Sequence, residues 1–302
     1  MPACSITTGM TAAILAVLSF CALPSHAADT PDLPPVPEAL RYLVESGKSG
    51  PRKTVLPLGD SITDMQRTRR AAWGGYRRQM ANDPVFAALF RFTGAFGNDL
   101  HAVSPSPEPP AMPADQRDHC GWSGATLDGW NGPRTSIIEN FRYCLAAGPE
   151  PDFVLLHGGT NDLWDPILRP DAEPPEIRGQ RVAERTIELV HEILKTTDAT
   201  VLLAQLIPMT GEARAFDANV VAYNEALETG IDALRSAPDG GGIWTERVVL
   251  VDMHAAILDW TRDAPETALP DGIHPNVWGS QIMARKWLSA LYDQYGETAP
   301  KR

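Results

Sequence analysis

The sequence predicts an α/β domain in which a five-stranded parallel sheet carries helices on both faces. Three observations predict it. Short continuous apolar runs recur along the chain, as strands buried on both faces require. Helical patterns separate these runs, an alternation that suits parallel strands joined by crossovers. The 302 residues show neither an internal repeat nor a second composition regime, so one core accounts for them. In chain order the candidate strands are Thr54–Leu58, Phe90–Phe96, Phe153–His157 (FVLLH), Thr200–Leu206 (TVLLAQL) and Arg247–Val251 (RVVLV). Helical patterns fall at Trp73–Asn82, Thr135–Ala146, Gln180–Thr196, Asp217–Arg235 and Asn276–Tyr295.

The flanks and interruptions have their own signals. Residues 1–27 hold no Lys, Arg, Asp or Glu, and their apolar stretch Ala12–Leu23 leads into Ser25-His26-Ala27, a small-x-small cleavage pattern. This reads as a secretory signal peptide, too short to span a bilayer, although a basic n-region is missing. Residues 28–51 are rich in proline and read as an arm or linker, which leaves residues 52–298 as the domain. Ser104–Pro113 and Asp165–Pro175 are proline-rich and are expected to form neither a helix nor a central strand. They serve either as loops over a site or as surface insertions.

Of the four cysteines, Cys4 and Cys21 would leave with the signal. Cys120 and Cys144 remain, either as one disulfide in an oxidising compartment or as two buried thiols. The formal charge of −12 has no compensating basic cluster, which argues against nucleic acid and against an anionic membrane surface. The basic run Arg67–Arg70 with Arg77-Arg78 is short and reads as a solvated helix or loop face. Composition says nothing of oligomeric state.

Four short motifs carry chemistry: GDSIT at Gly59–Thr63, SGAT at Ser123–Thr126, GGTND at Gly158–Asp162 and DGIHP at Asp271–Pro275. Ser61 follows a buried strand and can attack a carbonyl if a base removes its proton. By itself, a serine there could equally be a helix cap. Asp271 and His274 are three residues apart before the last helix, so a tight turn can bring the carboxylate to one ring nitrogen and leave the other for Ser61. Pro275 restricts His274 to extended backbone. Gly124 offers a backbone N–H without Cβ interference, and Asn161 a side-chain amide at a strand end. Both suit a developing oxyanion, although a turn glycine and a cap would explain each one singly. Asp60 and Asp162 read as structural hydrogen-bond acceptors, and His157 as a satisfied core or rim histidine. No metal or organic cofactor is called for.

The ordered set resembles the SGNH (GDSL-type) hydrolases across nearly the whole mature chain. The resemblance implies a flavodoxin-like three-layer sandwich with a Ser61–His274–Asp271 triad. It also implies an oxyanion hole from the Ser61 and Gly124 N–H groups and the Asn161 amide. LPLGDSIT, GGYR at Gly74–Arg77, the H-x-G-x-S-G spacing at His119–Gly124 and Tyr223-Asn224 look like the acetyl xylan esterase branch, whose substrates are acetylated polysaccharides. The expected protein is a secreted serine esterase that removes short acyl groups from a small molecule or polysaccharide. Trp122 and Trp164 are the best candidates for stacking on sugar, and both are equally suited to packing. A lipolytic enzyme of the same fold would need a long apolar groove, and the proline-rich loops carry no long hydrophobic run. A non-catalytic carbohydrate-binding protein would have no reason to hold all four motifs.

Overall fold

The computed structural model describes residues 34–65, 74–97, 112–129, 135–164, 173–238 and 241–298. The signal-peptide region, Arg67–Arg70, Trp73 and most of both proline-rich stretches lie outside them. The strands are β1 (Lys53–Gly59), β2 (Phe90–Phe92), β3 (Cys120–Gly121), β4 (Phe153–His157), β5 (Thr200–Ala204) and β6 (Val248–Val251). The helices up to β4 are α1 (Glu38–Glu45), α2 (Ser61–Asp64), α3 (Gly75–Ala81), α4 (Pro84–Leu89) and α5 (Ile137–Ala147). After β4 come α6 (Thr160–Leu163), α7 (Pro175–Thr196), α8 (Asp217–Arg235), α9 (Gly241–Arg247), α10 (Met253–Thr261) and α11 (Val277–Thr298).

All pairings in the sheet are parallel, in the order β2-β1-β4-β5-β6. The sheet has six strands where five were expected, because two-residue β3 joins the edge of β1 that β2 leaves open. β2 pairs with Lys53–Val55, and β3 with Leu58 and Gly59. Pro57 falls between them. The carbonyls of Val55 and Gly59 both accept hydrogen bonds on that edge. Pro57, at the same parity, therefore turns its ring nitrogen to the gap, where no ladder bond is lost. The expected strand to Phe96 ends at Phe92; Phe96 instead exchanges backbone hydrogen bonds with His119. The one expected to Leu206 ends at Ala204, since the Asn224 amide takes over both backbone groups of Leu206 at 2.8 and 3.0 Å.

Two helix groups cover the sheet. In one, α11 packs on α1, α3 and α10; in the other, α7 pairs with α8, and Arg142 of α5 reaches Glu192 of α7. β4 is buried throughout, and Leu155, Leu156, Leu202 and Leu203 lie at the centre of the core. Part of the expected arm is packed structure, because α1 buries Leu40 and Leu43. Pro174 and Pro175 end their stretch as the cap and first residue of α7, a place where a missing N–H costs nothing.

The strand order reverses direction between β1 and β4. Such a switch leaves a crevice at the carboxyl ends of the two strands, where open α/β sheets bind ligands. GDSIT leaves β1 there and GGTND leaves β4.

Candidate active site

Ser61 opens α2 immediately after β1. Asp60 caps the helix by accepting the Ile62 N–H at 3.0 Å, in keeping with the acceptor role expected for it. As the first helical residue, Ser61 has its own N–H among the groups that no intrahelical carbonyl can accept. Its hydroxyl lies 2.8 Å from Nε2 of His274, which comes from the other end of the chain.

The DGIHP turn is internally braced. Asp271 Oδ1 accepts the N–H groups of His274 at 2.7 Å and Ile273 at 3.1 Å, and Oδ2 lies 2.9 Å from His274 Nδ1. Burial alone would raise the Asp271 pKa. The hydrogen bonds from the His274 ring and from the two backbone groups outweigh it and hold the carboxyl at about 2. An ionised Asp271 fixes the imidazole proton on Nδ1 and leaves Nε2 as an acceptor toward Ser61. The turn is fastened from outside by the Thr210 N–H to the Gly272 carbonyl at 2.9 Å. Asn276 caps the helix that follows, accepting the Gly279 N–H at 2.9 Å.

Asn161 stands in α6, directly after β4. One of its two amide hydrogens bonds the Ala125 carbonyl at 2.8 Å, which orients the group and leaves the second hydrogen for a ligand. Gly124 is exposed and adopts φ +80°, and a Cβ placed on it would meet nothing within 4 Å. The glycine requirement there is conformational. Asp162 accepts the Leu127 N–H with both oxygens, at 3.2 and 3.1 Å, and burial pushes its pKa up to about 7. Ala125 and Leu127, alternate residues of the loop after Gly124, are thus both held by side chains of the third motif.

Sequence reasoning missed the residues that hold those turns. Asp64, the last residue of α2, accepts the Ser123 hydroxyl at 2.6 Å and the Ser123 N–H at 3.2 Å. Arg77 and Arg78, expected on a solvated face, are both buried, and Arg77 donates to the carbonyls of Thr63 at 2.8 Å, Asp64 at 2.9 Å and Arg117 at 3.2 Å, a role that needs its guanidinium inside. Burial lowers its pKa to about 10, so it remains charged at neutral pH. GGYR was the available signal for Arg77. His157 is buried as expected but not satisfied: neither ring nitrogen has a hydrogen-bond partner among the described residues.

Cys120 and Cys144 are joined in a disulfide that links β3 to α5. Trp122 donates its backbone N–H to Gly59 at 3.1 Å, and its partly buried ring meets Phe96 edge-on. Trp164 is also partly buried against the core. Among the described residues no group of three or more His, Cys, Asp or Glu side chains is arranged to hold a metal ion. No helix among them is long and apolar enough to cross a membrane.

The GDSL-like Lipase/Acylhydrolase family matches residues 58–282, a span that contains all four motifs. The chain belongs to this family. A multidomain esterase from Ruminococcus flavefaciens is 25% identical over 252 residues, covering 78% of this chain and 28% of that protein. The GDSL-family chain therefore spans little more than a quarter of that relative's length. Among solved structures, the acetylxylan esterase Axe2 from Geobacillus stearothermophilus is 19% identical, with TM-score 0.52 and coverage of 80% of this chain and 95% of Axe2. LAE5, an alpha/beta hydrolase from the metagenome of Lake Arreo, Spain, is 20% identical, with TM-score 0.51 and coverage of 79% and 94%. These two are likenesses of fold.

Proposed function

We propose that this protein is a secreted serine esterase that hydrolyses short-chain esters, chiefly O-acetyl groups carried on carbohydrate. The observation that carries the proposal is the continuous relay from Ser61 through His274 to Asp271, with contacts of 2.8 and 2.9 Å. Ser61 Oγ attacks the ester carbonyl while Nε2 takes its proton, and Asp271 stabilises the imidazolium that forms. The tetrahedral oxyanion is received by the N–H groups of Ser61 and Gly124 and the second amide hydrogen of Asn161. His274 then returns the proton to the departing alcohol. Water attacks the acyl-enzyme along the reverse path, with His274 again as base.

The apolar N-terminal stretch supports export. The esterase relative supports ester hydrolysis, and the likeness of fold to an acetylxylan esterase supports an acetyl group on carbohydrate. The decisive experiment measures kcat/KM on p-nitrophenyl esters from acetate to palmitate, together with acetate released from acetylated xylan. Preference for acetate and release from xylan are expected. A kcat/KM that climbs steadily toward palmitate would replace this reading with a lipolytic one. An organophosphonate should label Ser61, and wild-type turnover in Ser61→Ala would overturn the mechanism.

A further inference from the structure

We propose that Asp64 is a positioning residue: its carboxylate fixes the oxyanion loop at Ser123-Gly124 onto the turn that carries Ser61. This rests on the ester-cleaving reading above. Asp64 is buried, three residues after Ser61 on the same short helix. Its Oδ2 accepts both the hydroxyl and the N–H of Ser123, at 2.6 and 3.2 Å. A carboxylate has no proton to give, so both bonds run toward Asp64 and both are charge-assisted. Ser123 directly precedes Gly124, so only the φ and ψ of Ser123 separate its pinned N–H from the Gly124 N–H.

The residues around this contact are arranged to hold it. The Asp64 N–H donates to the Asp60 carbonyl at 2.9 Å, and the Asp64 carbonyl accepts from Arg77 at 2.9 Å, so the root of the side chain is fastened at both ends. His119 Nδ1 accepts the Gly121 N–H at 3.1 Å, which puts the imidazole proton on Nε2. That nitrogen faces Asp64 Oδ1 at 4.0 Å, close enough for electrostatic attraction but too far for a hydrogen bond. Between them, a Cβ on Gly121 would lie 2.6 Å from the Asp64 backbone nitrogen. His119, Gly121 and Ser123 thus present alternate residues of an extended segment to the nucleophile turn. That period explains the H-x-G-x-S-G spacing, and the buried Arg77 guanidinium supplies the compensating charge.

Steady-state kinetics on p-nitrophenyl acetate test the assignment with Asp64→Ala, Asp64→Asn, Ser123→Ala and the Asp64→Ala/Ser123→Ala double variant. Displacing one oxyanion donor should lower kcat about 10–100-fold in Asp64→Ala with KM within twofold, because the lost interaction forms only in the transition state. Asp64→Asn, which keeps an acceptor oxygen, should recover a large part of that loss. Ser123→Ala should fall between Asp64→Asn and Asp64→Ala, and the double variant should be no worse than Asp64→Ala alone. Wild-type kcat in Asp64→Ala and Ser123→Ala, a defect confined to KM, or additive losses in the double variant would each overturn the positioning role. If Asp64→Ala loses its cooperative thermal transition, Ser123→Ala decides, since it leaves the carboxylate and the backbone bond in place. In either case inactivity of Ser61→Ala shows the esterase reading intact. A wild-type protein that cleaves no ester would overturn both.

Discussion

Replacing Asp271 by Asn changes one atom and should nearly silence the enzyme. In the native turn Oδ1 holds two backbone N–H groups, at 2.7 and 3.1 Å. The Asn carbonyl oxygen will keep those bonds, which leaves its NH2 facing His274 Nδ1 in place of Oδ2. Nδ1 must then accept, so the ring proton moves to Nε2, and Nε2 can no longer take a proton from Ser61 at 2.8 Å. An inverted tautomer of this kind costs about 10⁴ in kcat in a serine-protease triad, and a loss of roughly 10³–10⁴ is expected here. Stability changes in step. The native carboxyl titrates at about 2 against an ordinary 3.8. A depressed pKa contributes stability that is present above pH ~4 and is lost as pH falls through ~2, worth about 1–2 kcal/mol after discounting for solvent screening. Asp271→Asn should therefore flatten the acid side of the unfolding curve while its fold at pH 7 persists. The assay pairs p-nitrophenyl acetate kinetics from pH 5 to 9 with thermal unfolding from pH 2 to 7. A variant that keeps kcat within tenfold of wild type would refute the tautomer argument.

Three further outcomes follow from the same geometry. Asn161→Ala should lower kcat about 10²–10³-fold with little change in KM, as for loss of one oxyanion donor; a defect in KM alone would make Asn161 a ground-state binding residue. Reducing the Cys120–Cys144 bond should cost about 2–4 kcal/mol in denaturant unfolding and lower kcat as well, because β3 leads directly into Ser123; two titratable thiols in native, oxidised protein would contradict it. Asp162 has a raised native pKa of about 7, so its contribution is complete below pH ~4 and is lost as pH rises through 7. Wild type should lose stability relative to Asp162→Asn as pH rises from about 4 to about 7, by at most about 1.4 kcal/mol per pH unit, and unfolding curves parallel across that window would show that Asp162 titrates normally.

Much of the fold was legible because β4 and β5 are buried on both faces, so FVLLH and TVLLA had to be apolar without interruption. Helix α8 has the bounds its pattern predicts. What escaped was short or dependent on distant partners. Strand β3 is two residues long and exists because Leu58 and Gly59 present an open edge, which no local pattern announces. Helix α4 was not among the expected helices, although Asp83-Pro84 is a cap followed by a first-turn proline, with Asp83 accepting the N–H groups of Val85 and Phe86. Helix α10 likewise starts at a capping aspartate, Asp252. The triad candidates were legible since a nucleophile and its base need fixed residue types in fixed local contexts. Asp64 was not, because its partner Ser123 lies 59 residues away and nothing in spacing connects them.

The glycines that precede the two candidate catalytic turns both stand where a Cβ would collide. A Cβ on Gly59 would come within 2.0 Å of the His157 carbonyl, and one on Gly158 within 2.5 Å of the Ile137 side chain and 3.8 Å of the Gly59 Cα. Gly59 thus lets the end of β1 lie against the β4 backbone, whereas Gly158 makes room for α5 and is in ordinary contact with Gly59. Under the proposed mechanism, the approach at Gly59 would let Ser61, leaving one strand, and Asn161, leaving the other, address a single reacting carbonyl. Substituting Gly59 by Ala would force β1 away from the His157 carbonyl, and kcat on p-nitrophenyl acetate is expected to fall while a cooperative thermal transition persists.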